Sequence, residues 1–76
     1  MMEAIRDIDN HMVCCVDSSR GLIEHIYQKE MVRVSLPVGG EVLFVKGDCF
    51  TLIRRINSQS VYVTSEHHEG LGFFGA

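Results

Sequence analysis

Three groups of residues in this chain carry side chains capable of chemistry. The first lies in "HMVCCVDSSRGLIEH", where Cys14 and Cys15 adjoin, flanked by His11 and His25. Thiolate and imidazole are ordinary zinc ligands, but a structural zinc site draws on four of them, commonly from two short-spaced pairs. Here the cysteines are consecutive. Consecutive strand residues point to opposite faces, so the two histidines can serve only one sulfur at a time. A vicinal disulfide strains the intervening peptide, and Cys49 stands apart in sequence. Free cysteine is among the most buried residue types. The expectation for Cys14 and Cys15 is therefore a pair of small apolar side chains in a hairpin. Ser18, Ser19 and Asp17 add the types needed for nucleophilic catalysis, but no strand–turn–helix elbow exposes a nucleophile. No phosphate loop or dinucleotide fingerprint is present. The expectation is no enzyme, no cofactor and no metal.

The second group is "SEHHEG", where His67 and His68 sit between Glu66 and Glu69. Such a cluster can hold a divalent metal or titrate near neutral pH; the plainer reading is a solvated chain end. The third group is Tyr27, Phe44, Phe50 and Tyr62, with Arg33, Lys46, Arg54 and Arg55 near them in sequence. Single-strand binders interleave aromatics and cations on an exposed sheet face. The net charge of −3 argues against a phosphate-backbone partner, and filling a core is the simpler use of these rings.

The elements that must position these residues alternate with period two. Turn residues recur every eight to ten positions, which marks consecutive short strands. The pattern predicts strands at 4–8, 12–17, 22–28, 31–36, 41–46, 49–56 and 61–66. Turns fall at Asp9–Asn10, around Gly21, at Lys29–Glu30 and at Gly47–Asp48. Pro37 ends the fourth strand, and Gly39–Gly40 reads as a hairpin turn. Helical spacing can also be read over 18–30, but Gly21 would sit in the first turn of that helix at a cost in propensity.

The fold class that follows is all-β: an antiparallel meander of six to seven short strands, forming a small barrel or a two-layer sandwich. Residues 1–66 form a single β domain, with 67–76 a Gly- and Phe-containing C-terminal tail. The expected inward residues are Met12, Val16, Leu22, Ile26, Val32, Val34, Leu36, Val42, Phe44, Phe50, Leu52, Val61 and Val63. The opposite face is apolar as well, at Leu43, Val45, Ile53 and Tyr62. A monomeric antiparallel sheet is commonly polar on one face, so this second face calls for a cover, either another copy or a partner protein. A chain of 76 residues buries only about 60–65% of its extended surface, and chains this short often lean on a partner subunit or a metal. The tail residues Leu71, Phe73 and Phe74 would either fold back or dock on a neighbour.

The run "VCCVDSSRGLIEHIYQKEMVRVSLPVGGEVLFV" resembles small β-rich proteins of phages and mobile elements of Gram-positive bacteria. The shared pattern is V-C-x-V-D-x-x-x-G-L-I-E followed by L-P-x-G, and it covers under half of the chain. The resemblance implies a class of role only: small acidic phage proteins often bind a host protein, including as inhibitors of defence systems. The functional expectation is a non-enzymatic protein-binding module acting as a homo-oligomer, with Leu43, Val45, Ile53, Arg54, Arg55, Tyr62, Leu71, Phe73 and Phe74 meeting the partner. The alternatives are a small-ligand or nucleotide binder at an oligomer interface, with Arg33, Arg54 or Arg55 meeting an anion, and a single-stranded nucleic-acid binder. The N-terminus lacks the apolar core of a signal peptide, no run is long enough to span a membrane, and free thiols suit a reducing compartment. The expected location is cytoplasmic.

Overall fold

The computed structural model describes residues 1–67. Seven strands follow one another: β1 (Glu3–Arg6), β2 (Met12–Asp17), β3 (Leu22–Tyr27), β4 (Glu30–Ser35), β5 (Glu41–Lys46), β6 (Cys49–Arg55) and β7 (Val61–His67). They make two sheets, ordered β1-β2-β3-β4 and β5-β6-β7, and every neighbouring pair is antiparallel. The result is sandwich-like: neither sheet closes into a barrel, and no helix occurs among the described residues. The helical reading of 18–30 gives way to the β2–β3 and β3–β4 hairpins. Strands β2 and β5 lie where alternation predicts them, β3, β6 and β7 start where predicted and end one residue away, and β1 and β4 differ by one or two residues at both ends.

Two turns differ from expectation. The β3–β4 turn falls on Gln28 and Lys29, at φ 51° and 70°. Paired positive φ values are what a two-residue hairpin with native twist requires, even without glycine. The Gly39–Gly40 turn does not join paired strands. The Gly40 N–H donates to Pro37 O at 2.8 Å, and Gly39 takes a φ of 87°, a left-handed value natural to glycine. The chain here leaves one sheet for the other. Gly39 N–H then donates to Arg55 O at 2.8 Å and Arg55 N–H to Gly40 O at 2.9 Å, so the connector feeds directly into the β5–β6 ladder.

The core lies between the sheets. Cys14, Val16, Ile23, Leu36 and Ile53 pack together, with Val34, Val42, Phe44, Val61 and Val63 partly buried against them. Ladder register explains which residues enter it. Ile23 lies opposite both Val16 and Val34, and Ile53 lies opposite Val42 and Val63. This corrects the expected inward set. Leu22 and Leu52 point the other way, alongside Ser35 and Leu43 respectively, and Ile26 is exposed. Phe50 is buried, but its register sets it beside Val45 and Glu66 on the outer side. Met12 is exposed because the β1–β2 ladder slips between Ile5 and Arg6; such a bulge re-aims the side chains around it. Ile53, assigned to the second face by alternation, is fully buried at 0% exposure.

Candidate functional site

The outer face of the β5–β6–β7 sheet carries Leu43 and Val45, about half exposed at 50% and 48%, with Tyr62 at 52%. Leu52 shares that face, lying beside Leu43. Arg54 also lies there and meets Glu41 through Nε at 2.9 Å and Nη2 at 2.8 Å. Ile53 does not belong to this surface. Neither does Arg55, whose guanidinium is turned onto backbone carbonyls. Its Nη1 donates to Leu36 O at 2.9 Å, and its Nη2 lies 3.3 Å from both Ser19 O and Ser58 O. Arg55 thus ties the end of one sheet to the loops of the other. Leu71, Phe73, Phe74 and His68 lie outside the described residues.

Between the sheets runs a cleft of about 630 Å³. Val42, Phe44 and Thr51 line it from the second sheet and Val13 and His25 from the first. The His25 and Phe44 rings meet edge to face, 5.1 Å between centroids. The exposed members of the lining are Met12, Ile26 and Tyr27 on one side, and Leu43, Val45 and the charged Lys46 on the other. Asp7 and Cys49 also reach the cleft.

A second cluster forms where the β1–β2 turn meets the β6–β7 ladder. Asp7 Oδ1 accepts the backbone N–H groups of Asp9 and His11, each at 2.9 Å, an arrangement typical of Asx turns. Asn10 completes the turn at φ 66°. Ile8 N–H donates to Ser65 Oγ at 3.0 Å, which docks the turn against β7. Ser65 Oγ in turn lies 3.1 Å from Thr51 Oγ1 and 3.6 Å from Cys49 Sγ. Cys49 and His67 are direct cross-strand partners, and His67 Nε2 lies 2.9 Å from Asp9 Oδ2. The backbone N–H of His11, helped by that of Asp9, holds the Asp7 carboxyl below its ordinary range, against the opposing effect of burial. Hydrogen bonding to Asp9 and its negative charge raise the His67 imidazole.

The adjacent cysteines divide as alternation requires. Cys14 is in the core at 2% exposure, and burial, with Cys15 beside it, pushes its thiol up to about 11. Cys15 lies on the other face, opposite Ala4 and Glu24. Both are free thiols. Among the described residues, the groups of three or more potential metal ligands form at the Asp7–Asp9–His11 turn and at Asp9, Cys49 and His67, not around Cys14 and Cys15.

Sequence reasoning placed His67 beside His68 and missed its meeting with Cys49 and Asp9. Half of that signal was available. Counting outward from the 57–60 loop pairs residue 49 with residue 67, whereas nothing local announces the arrival of Asp9. Comparisons with protein-family models, curated proteins and solved structures find no match to this chain.

Proposed function

We propose that this chain is a non-enzymatic protein-binding module that works as a homo-oligomer, and that a second copy takes the open edge of β5. The observation carrying this reading is the composition of that edge. β5 terminates its sheet and reads Glu-Val-Leu-Phe-Val-Lys, with charge only at its ends. Natural edge strands are blunted by proline, bulges or mid-strand charge, because unpaired backbone beside apolar side chains recruits another strand. Here Leu43 and Val45 are half exposed on one face, while Val42 and Phe44 line the cleft on the other. A second β5 laid along this edge extends the sheet by main-chain hydrogen bonds and covers apolar surface on both sides. The resemblance to phage proteins adds a host protein as the further partner of the assembled form.

Sedimentation equilibrium tests the assembly. The wild-type chain is expected to associate at micromolar concentration. Leu43→Lys and Val45→Lys, both at exposed positions, should yield monomers with an unchanged circular-dichroism spectrum. A wild-type chain that stays monomeric at high micromolar concentration, or variants that associate as tightly as wild type, would overturn the proposal.

The cleft favours a second reading, a small apolar ligand. Its volume lies within the roughly 300–1,000 Å³ of ordinary ligand pockets, and His25, Thr51 and Asp7 supply polar groups among apolar walls. Saturating ligand would raise the melting temperature in a thermal-shift screen. A nucleic-acid partner is disfavoured: Arg33 pairs with Glu24 at 2.6 Å, Arg54 with Glu41, and Arg55 with carbonyls.

A further inference from the structure

We propose that Asp9, Cys49 and His67, together with Asp7, form a binding site for a divalent transition-metal ion of the zinc class. The argument begins with placement. Cys49 opens β6, His67 closes β7, and the ladder sets them directly opposite one another. The β1–β2 turn brings Asp9 to the same point, so that one ligand atom from each of the three residues lies within 4.8 Å of the other two. Asp7, Asp9 and His11 form a second such group that shares Asp9. One thiol, one imidazole and one carboxylate therefore converge from three segments far apart in sequence, and Asp7, grouped with Asp9 on the turn, offers the second carboxylate.

The donor chemistry narrows the class of ion. Calcium and magnesium take oxygen ligands almost exclusively. A sulfur and an imidazole nitrogen beside carboxylate oxygens suit zinc and its neighbours in the transition series, and four such donors complete a tetrahedral shell. Binding displaces the Cys49 thiol proton to solvent and leaves a thiolate on the metal.

The site is also built to hold its geometry. Asp7 is buried, its side chain only 2% exposed, and its Oδ1 is fixed by two backbone N–H groups, while its Oδ2, 3.7 Å from His11 Nδ1, is the oxygen that would turn to the ion. The turn itself is anchored by the Ile8–Ser65 hydrogen bond. His67 and Asp9 satisfy one another at 2.9 Å; the ion would take the place of that contact. Asp7 and Asp9 extend from the first sheet, Cys49 and His67 belong to the second. An ion held by all four cross-links the two layers of a chain with a thin core, the role structural metals commonly take in small domains.

The test is a titration of the metal-free full chain with Co²⁺, reading the thiolate-to-cobalt charge-transfer absorbance, followed by displacement with Zn²⁺. The proposal expects one equivalent bound, a thiolate band, loss of the band on adding Zn²⁺, and a higher melting temperature in Zn²⁺ than in EDTA. Cys49→Ser should abolish the band. Asp9→Asn and His67→Gln, both at exposed positions, should each weaken binding by at least about tenfold while leaving the circular-dichroism spectrum unchanged. Cys15→Ser should leave the band intact. Absence of a thiolate band overturns the proposal. So does a band that survives Cys49→Ser, or an affinity unmoved by both Asp9→Asn and His67→Gln, since the ion would then sit elsewhere.

Discussion

At the scale of single residues, Gly21 shows how little room the junction between the sheets leaves. Its φ is 64°, and a Cβ built there would lie 2.6 Å from Leu36 O and 2.7 Å from Arg55 Cδ. Both the left-handed backbone and the close approach demand glycine. Gly21→Ala should destabilise the fold by roughly 2–3 kcal/mol, read as a lower midpoint in urea denaturation. Asp17 acts at the other end of the same turn. Its Oδ1 accepts from the Ser19 hydroxyl at 2.8 Å and the Ser19 N–H at 3.2 Å, and the Met1 amino group lies 3.3 Å from Oδ2. The Ser19 hydroxyl contributes most to holding the Asp17 carboxyl below its ordinary 3.8. A carboxyl depressed in the folded state adds stability that is fully present above its unfolded pKa and is lost as pH falls through the folded one. Stability should therefore drop on acidification below about pH 4, and Asp17→Asn should flatten that part of the profile, as followed by chemical denaturation at successive pH values.

At the scale of elements, the number, order and direction of the strands were legible in the sequence, because alternation and turn residues are local signals. Which face some strands present was not. Strand β6 reads Cys-Phe-Thr-Leu-Ile-Arg-Arg. With apolar residues of both parities, it has no polar side to mark the solvent face, and register is weakly specified wherever that contrast is missing. The partners decide: Ile53 enters the core because Val42 and Val63 stand beside it, and Leu52 is left outside. Thr51 is buried between the sheets in turn, at 2% exposure, its hydroxyl paired with Ser65. Strand β4, whose Val32 and Val34 alternate with Arg33 and Ser35, was placed correctly for the converse reason. Strand β5 gives the sharpest contrast. Phe44 faces the other sheet and its neighbour Val45 faces outward. Phe44→Asp should abolish the cooperative thermal transition, by placing an unpaired carboxylate against apolar walls. A change confined to the assembly state, with the transition retained, would place Phe44 at an interface instead.

At the scale of the whole molecule, the candidate metal-binding cluster was the least legible feature, since it depends on a turn of the first sheet reaching the end strands of the second. His67 was recognised as chemically notable, but its sequence neighbour was taken as its companion, whereas the fold supplies Asp9 and Cys49. The apolar outer face was legible in outline at Leu43, Val45 and Tyr62, and misjudged at Ile53 and Arg55, where packing and carbonyl contacts claim the side chains.

The turn at Pro37–Gly40 has one more consequence. Among the described residues it is the sole covalent passage between two layers that are each an unbroken length of chain, and within each layer every ladder joins strands consecutive in sequence. No described strand of one half is threaded through the other. Topologically, a layer from one molecule can therefore lie against the complementary layer of another, and straightening this one turn would turn two folded copies into an exchanged pair.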